Sequence, residues 1–145
     1  MPILISNKQK TIRIDRRKIR KKAEKLLRDL AHPDAELSIL FVNDEEITRL
    51  NELYLKRSGP TNVISFPMHS PDIPGIHTEI LGDVVISMET AGREAGQEDI
   101  SLEAKTDWLL VHGILHLLGY DHEKAKDARV MFKKEKELLD LLRRK

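Results

Sequence analysis

Apolar residues come in two rhythms along this chain, short runs and a 3.6-residue period, and their alternation predicts the elements. Residues 2–6 (PILIS) and 11–14 (TIRI) have the short, β-branched character of strand or extended segments. After Asp15, a residue suited to capping a helix, Ile19, Ala23, Leu26, Leu27 and Leu30 recur on one helical face. His32-Pro33 ends that helix, because proline drives the residue before it away from helical angles, and places His32 in a surface loop. The run Leu37–Val42 (LSILFV) reads as a buried strand. Asn43 and Glu46 form a weak version of a capping box that opens a helix to about Leu55, with Ile47, Leu50 and Tyr54 inward.

Turn chemistry then takes over. Residues 58–67 (SGPTNVISFP) read as a turn and a strand, Val63–Phe66, closed by Pro67. Residues 67–79 hold three prolines, a glycine and two histidines and predict an irregular loop. Ile80–Met88 is strand-like, with an irregularity expected at Gly82. A helix from about Glu89 to Ala95 stops near Gly96, and Ser101 caps a strongly apolar helix that runs to Gly119. The last helix covers about Glu123–Arg143, with Ala128, Met131, Phe132, Leu138, Leu139 and Leu142 as its inner face. Neither repeat nor linker interrupts the series. The expectation is one α+β domain over residues 1–145, a small mixed β-sheet of about four strands packed with about five helices.

Composition narrows the classes. A chain of 145 residues buries roughly two-thirds of its unfolded surface, so it needs no metal or disulfide merely to fold. Cysteine is absent, which removes disulfides, thiolate zinc sites and a cysteine nucleophile, and fits a reducing compartment. No apolar run reaches the length of a membrane span and no hydrophobic signal segment follows Met1, so the expected setting is cytoplasmic, with no membrane partner. Net charge is only +1, yet Lys8 to Arg28 carries eleven Lys or Arg against the two acids Asp15 and Glu24. Such a segment suits a polyanion, or simply forms a solvated helix face.

The densest chemistry is at residues 112–122, HGILHLLGYDH. His112 and His116 stand four residues apart on a predicted helix, so both imidazoles leave one face, one turn from each other. Gly119 falls where the helix end calls for a left-handed residue, which lets the chain return His122 toward the other two. Three imidazoles with a fourth position open is the arrangement of a catalytic zinc ion rather than a structural one. Two hydrogen-bonded histidines and an exposed third is the plainer alternative. The metzincin proteases share this H-x-x-x-H-x-x-G-x-x-H spacing but carry Glu directly after the first His, as general base. Here that position is Gly113, which argues against peptide hydrolysis. Phosphodiester cleavage fits better, since it asks for a metal and a cation to balance developing charge. Lys56 and Arg57, near the predicted turn, are candidates for that cation.

Together HGILHLLGYDH, GPTNVISFP and LGDVVIS resemble the YbeY family of bacterial endoribonucleases, in motif order and spacing from about Leu50 to His122. The resemblance implies a divalent metal ion, zinc before others, on His112, His116 and His122. It also implies a metal-dependent single-strand endoribonuclease that acts in 3′-end maturation of small-subunit ribosomal RNA and in ribosome quality control. The expected partners are single-stranded RNA, ribosomal RNA and the small ribosomal subunit, not DNA. The family commonly carries a catalytic arginine directly after the tyrosine that Tyr54 matches; here Leu55 stands there. Arg57 is assigned the catalytic role because its planar fork can bind phosphate through two nitrogens, with Lys56 as the other candidate. Leu55 keeps a second function open, a ribosome-assembly factor with a structural metal and little hydrolysis. The metzincin-like frame leaves a third, a metal hydrolase of peptides or small molecules. Around the site, Asp83 and Asp121 are candidates to orient imidazoles, with a turn role preferred for Asp121. Ser65 and Thr61 are candidate cleft residues, Trp108 a core residue, and Tyr120 a packing residue that can also stack on a base. His69 and His77 are not expected to be ligands.

Overall fold

Four of the five helices begin where a side-chain oxygen replaces a missing backbone partner, which is why their starts are local properties. Asp15 accepts from the Lys18 amide, Asn43 from Glu46, Ser87 from Thr90 and Ser101 from Ala104. The computed structural model describes residues 3–68, 79–121 and 123–144. In chain order the elements are β1 (Ile3–Asn7), α1 (Arg16–Asp29), β2 (Glu36–Val42), α2 (Asp44–Leu55) and β3 (Val63–Pro67). They continue with β4 (Ile80–Ser87), α3 (Met88–Glu98), α4 (Leu102–Leu117) and α5 (Ala125–Arg143). The sheet order is β1-β2-β4-β3, with β1, β2 and β4 parallel and β3 antiparallel to β4. This is the expected α+β architecture of a four-stranded mixed sheet with five helices. The irregularity expected at Gly82 is a register shift, in which Leu37 pairs with Gly82 while Glu36 pairs with Ile80.

The two faces of the sheet are covered unequally. Ile3, Ile5, Leu37, Ile39, Phe41, Val84 and Ile86 join Ala23, Leu26 and Leu27 of α1 and most of α4 in the main core. On the other face Val42, Ile64 and Val85 pack with Ile47 of α2 in a smaller cluster. α4 sits centrally, against β3, β4, α3 and α5, which is why it is apolar nearly all round.

Several expectations change. Residues 11–14 join no ladder: the buried Gln9 amide donates to the Ile12 carbonyl at 2.6 Å and accepts from the Ile12 amide at 2.9 Å, so its side chain takes the partners a strand would supply. Tyr54 is 61% exposed, resting edge-on against Phe66, because α2 buries the stripe of Ile47 and Asn51 instead. Phe132 is 58% exposed, since the α5 stripe that meets the core runs through Met131, and Phe132 lies about 100° further round. α3 does not stop near Gly96 but continues to Glu98, with Asp99 in the left-handed conformation and the Ile100 amide closing on the Ala95 carbonyl. α5 begins at Ala125, two residues later than expected.

Part of the basic segment is structural. Lys22 donates to Glu103 at 3.0 Å and to Asp107 at 2.7 Å, and Lys18 meets Glu103 at 2.8 Å, which ties α1 to α4. The two lysines hold the Glu103 carboxyl down to about 2.

Asp44 joins α2 to α3. Its carboxylate accepts from Ser87 Oγ at 2.7 Å, Thr90 Oγ1 at 2.6 Å and Arg93 at 2.7 Å. Burial opposes its ionisation, but the Thr90 and Ser87 hydroxyls and the Arg93 guanidinium outweigh it and hold the carboxyl below its ordinary value. A carboxyl whose folded pKa is depressed adds stability that is full above its unfolded value, about 3.9, and fades as pH falls through the folded value. Asp44→Asn is therefore expected to lower stability at pH 7 by about 1–3 kcal/mol and to flatten the loss of stability below pH 4. Urea unfolding from pH 7 to pH 3 measures both, and an unchanged acid limb would contradict this account.

Candidate metal centre

Gly113 sets how α4 meets the sheet. A Cβ built there would approach Val84 Cγ1 to 2.7 Å and Cγ2 to 3.2 Å, so only glycine fits this crossing unaltered. Its carbonyl accepts from Ser65 Oγ at 2.8 Å, which fixes β3 to α4. With Gly113 buried against β4, the neighbouring His112 and His116 lie further round the helix and line an open cleft of about 630 Å³.

The end of α4 shapes one side of that cleft. Gly119 adopts φ +95°, its amide donates to the His116 carbonyl, and the Tyr120 amide donates to the Leu115 carbonyl. This Schellman closure satisfies the last carbonyls and turns the chain so that Gly119, Tyr120 and Asp121 all border the cleft. The opposite side comes from residues 55–67. The buried Asn51 amide donates to the Gly59 carbonyl at 3.0 Å, and the Asn51 carbonyl accepts from the Arg57 amide at 3.3 Å. Asn51 thereby holds the turn that carries Arg57 to the cleft rim.

The two imidazoles face one another, His112 Nε2 lying 3.1 Å from His116 Nε2. Two imidazole nitrogens sharing one zinc ion at about 2.0–2.1 Å lie roughly 3.3 Å apart at a tetrahedral angle. The donor pair therefore fits a single borderline divalent ion. On its other edge His112 Nδ1 is 3.2 Å from the carboxylate of Glu135, and the Trp108 ring stacks on its face at 4.7 Å. His122, His69 and His77 lie outside the described residues.

Of the other candidates, Arg57, Thr61 and Ser65 all line the cleft. Among the described residues Arg57 is its only lysine or arginine, while Lys56, left-handed at the end of α2, points its ammonium toward the Leu53 carbonyl. Leu55 lines the cleft beside Arg57. Asp83 belongs elsewhere, since on β4 the next residue, Val84, faces α4, so Asp83 looks to the opposite side, near Leu4, Ser38 and Met68. Asp121 borders the cleft and caps its own turn, accepting from the Glu123 amide at 3.2 Å. Trp108 and Tyr120 are both half-buried against the main core, and Tyr120 also lines the cleft. His32, at the sheet end, has Nδ1 2.8 Å from Glu79. Sequence reasoning missed Asn51 and Glu135. The available signal was a polar residue at a core position of a helical stripe, Asn51 four after Ile47 and Glu135 four after Met131.

The family model described as endoribonuclease YbeY matches residues 4–143. A protein named endoribonuclease YbeY from Syntrophus aciditrophicus is 45% identical over 98% of this chain and 90% of its own length. Another of that name, from Syntrophotalea carbinolica, is 48% identical over 97% of this chain and 95% of its own. A third, from Aquifex aeolicus, is 45% identical over 90% and 84%. Among solved structures, the solution structure of TM1509 from Thermotoga maritima superposes with a TM-score of 0.67 at 26% identity, covering 97% of this chain and 88% of that one. Identity of this extent, spanning the cleft and the fold that builds it, places the chain in the YbeY family of endoribonucleases.

Proposed function

We propose that the chain is a metal-dependent endoribonuclease for single-stranded RNA, acting on the 3′ end of small-subunit ribosomal RNA. Residues 1–145 would work as one domain, in the cytoplasm, in association with the small ribosomal subunit. Consistent with that setting, no helix of the described residues is long and apolar enough to cross a membrane. The observation that carries the reading is the pair of Nε2 atoms 3.1 Å apart in a cleft whose one described lysine or arginine is Arg57.

His112, His116 and His122 would hold one divalent ion, zinc by the ligand type, though imidazole also suits nickel and other borderline ions. Bound there, the ion would supply Lewis-acid polarisation of a phosphoryl oxygen. Arg57 would take non-bridging phosphate oxygens through two guanidinium nitrogens and balance the charge that grows during cleavage. Tyr120 offers a ring at the cleft wall on which a splayed base can stack, which a single strand permits and a duplex does not. Ser65 is committed to the Gly113 carbonyl and acts as a strut rather than a substrate contact. The peptide-hydrolase alternative loses ground, because the position of its glutamate is filled by Val84.

The test is cleavage of a single-stranded RNA by zinc-loaded protein, before and after chelation. Cleavage is expected to vanish on chelation and return with zinc; equal cutting by fully stripped protein would refute the metal dependence. Arg57→Ala is expected to lower cleavage by about 10²–10³-fold, the scale of removing one donor aimed at developing charge, with zinc content unchanged. Full turnover in that variant would sink the role of Arg57.

A further inference from the structure

The inner stripe of α5 runs Met131, Glu135, Leu138 and Leu142, the helical spacing of a core-facing helix. Met131 and Leu138 are fully buried, and Glu135 between them is only 7% exposed. A carboxylate in such a stripe is costly unless it is paired. Its hydrogen-bond partner is His112, whose Nδ1 lies 3.2 Å from Glu135 Oε1. A carboxylate there can only accept, which would place the hydrogen on Nδ1 and, in the neutral ring, leave the lone pair on Nε2. That Nε2 is the atom turned toward His116 Nε2 in the cleft.

The face of the ring is held as firmly as its edge. Trp108 stacks on His112 with 22° between the planes, and Lys105 Nζ lies 4.8 Å from the Trp108 ring centre on its own partners Glu94 and Glu98. Stacking fixes the plane of the imidazole, and the Glu135 bond fixes its rotation within that plane.

We propose that Glu135 is a positioning residue, which holds His112 in the tautomer and rotamer that present Nε2 to the metal. Glu135 would also make the imidazole a stronger donor, through partial negative charge on its far edge. The inference rests on the reading that His112 is a metal ligand. It adds that α5, beyond the histidine motif in the chain, contributes to metal affinity.

Three measurements test it, none of them activity. Nitrogen-resolved NMR of the native metal-free protein, at a pH where the imidazole is neutral, is expected to show His112 protonated at Nδ1. Zinc affinity by chelator competition is expected to fall about 10–100-fold in Glu135→Leu, the usual scale for losing such a partner. Glu135→Gln, whose amide oxygen can still accept, is expected to lie between. Thermal unfolding of metal-free Glu135→Leu should show stability equal to or above native, because leucine completes the apolar stripe, and this separates positioning from packing. A native His112 protonated at Nε2, or native zinc affinity in Glu135→Leu, would overturn the proposal. If Glu135→Leu does not fold, the native tautomer decides alone. If the native chain binds no zinc, the metal reading itself fails, whereas zinc binding with an unaffected Leu variant removes only the role of Glu135.

Discussion

His116→Ala is expected to abolish stoichiometric zinc binding and to cut single-stranded RNA cleavage by at least about a hundredfold. The side chain supplies one of two nitrogens that sit 3.1 Å apart, and a chelating pair loses most of its affinity when one donor goes. Several kcal/mol of Lewis-acid stabilisation are then missing, and each 1.36 kcal/mol is a factor of about ten in rate. Stability of the metal-free fold should change little, within about 1 kcal/mol, because His116 is half-buried at the end of α4 with its ring toward the cleft. Metal analysis, a labelled RNA oligonucleotide and urea unfolding measure the three effects. A variant that keeps its zinc and cuts at the native rate would remove His116 from the site. One that loses zinc yet still cuts would refute the metal dependence of cleavage, whereas a native protein that holds zinc but does not cut would favour the assembly-factor reading that Leu55 kept open.

Gly113→Glu would complete the H-E-x-x-H pattern of a metalloprotease, and it is expected to unfold the chain instead. The first added carbon already approaches Val84 Cγ1 to 2.7 Å, and the rest of the side chain would have to enter the contact between α4 and the sheet. Overpacking costs about 1–3 kcal/mol, and an unpaired carboxylate buried there adds several more. A loss of about 4 kcal/mol or more is a large share of the 5–15 kcal/mol that holds a typical domain. Gly113→Ala meets the same methyl but gains about 1 kcal/mol of helix propensity, so its net loss should be about 0–2 kcal/mol. Urea midpoints at constant slope rank the three proteins. Native stability in Gly113→Glu would show that α4 does not approach the sheet as described. The fold as it stands has no room for a glutamate side chain at position 113.

Legibility followed the range of the interaction. Three helix caps, Asp15, Asn43 and Ser101, were readable because a cap and its amide lie three residues apart, while Ser87 was hidden inside a strand-like run. The strands Leu37–Val42 and Val63–Phe66 were readable because a short apolar run between turns has few other uses. The facing of His112 and His116 followed from 3.6-residue geometry, and the left-handed Gly119 from what a helix end demands. Where a short-range rule met competition, it held only in part. TIRI has strand composition, but the Gln9 amide offers its backbone another partner. Gly96 looked like a stop, yet buried Ala91 and Ala95 carry α3 onward through it.

By itself, then, the sequence determined the elements, the four-plus-five α+β layout, the histidine pair and the family motifs, since all of these are set within a few residues or by repeated period. Only the tertiary structure decided which candidates share the cleft. It put Arg57 there and turned Lys56 away, through a turn held by Asn51. It sent Asp83 to the wrong face of the sheet and brought Glu135 to His112 from 23 residues further along. Those placements depend on how α2, β4 and α5 pack on α4, and packing between elements leaves no mark at the spacing of neighbours in the chain.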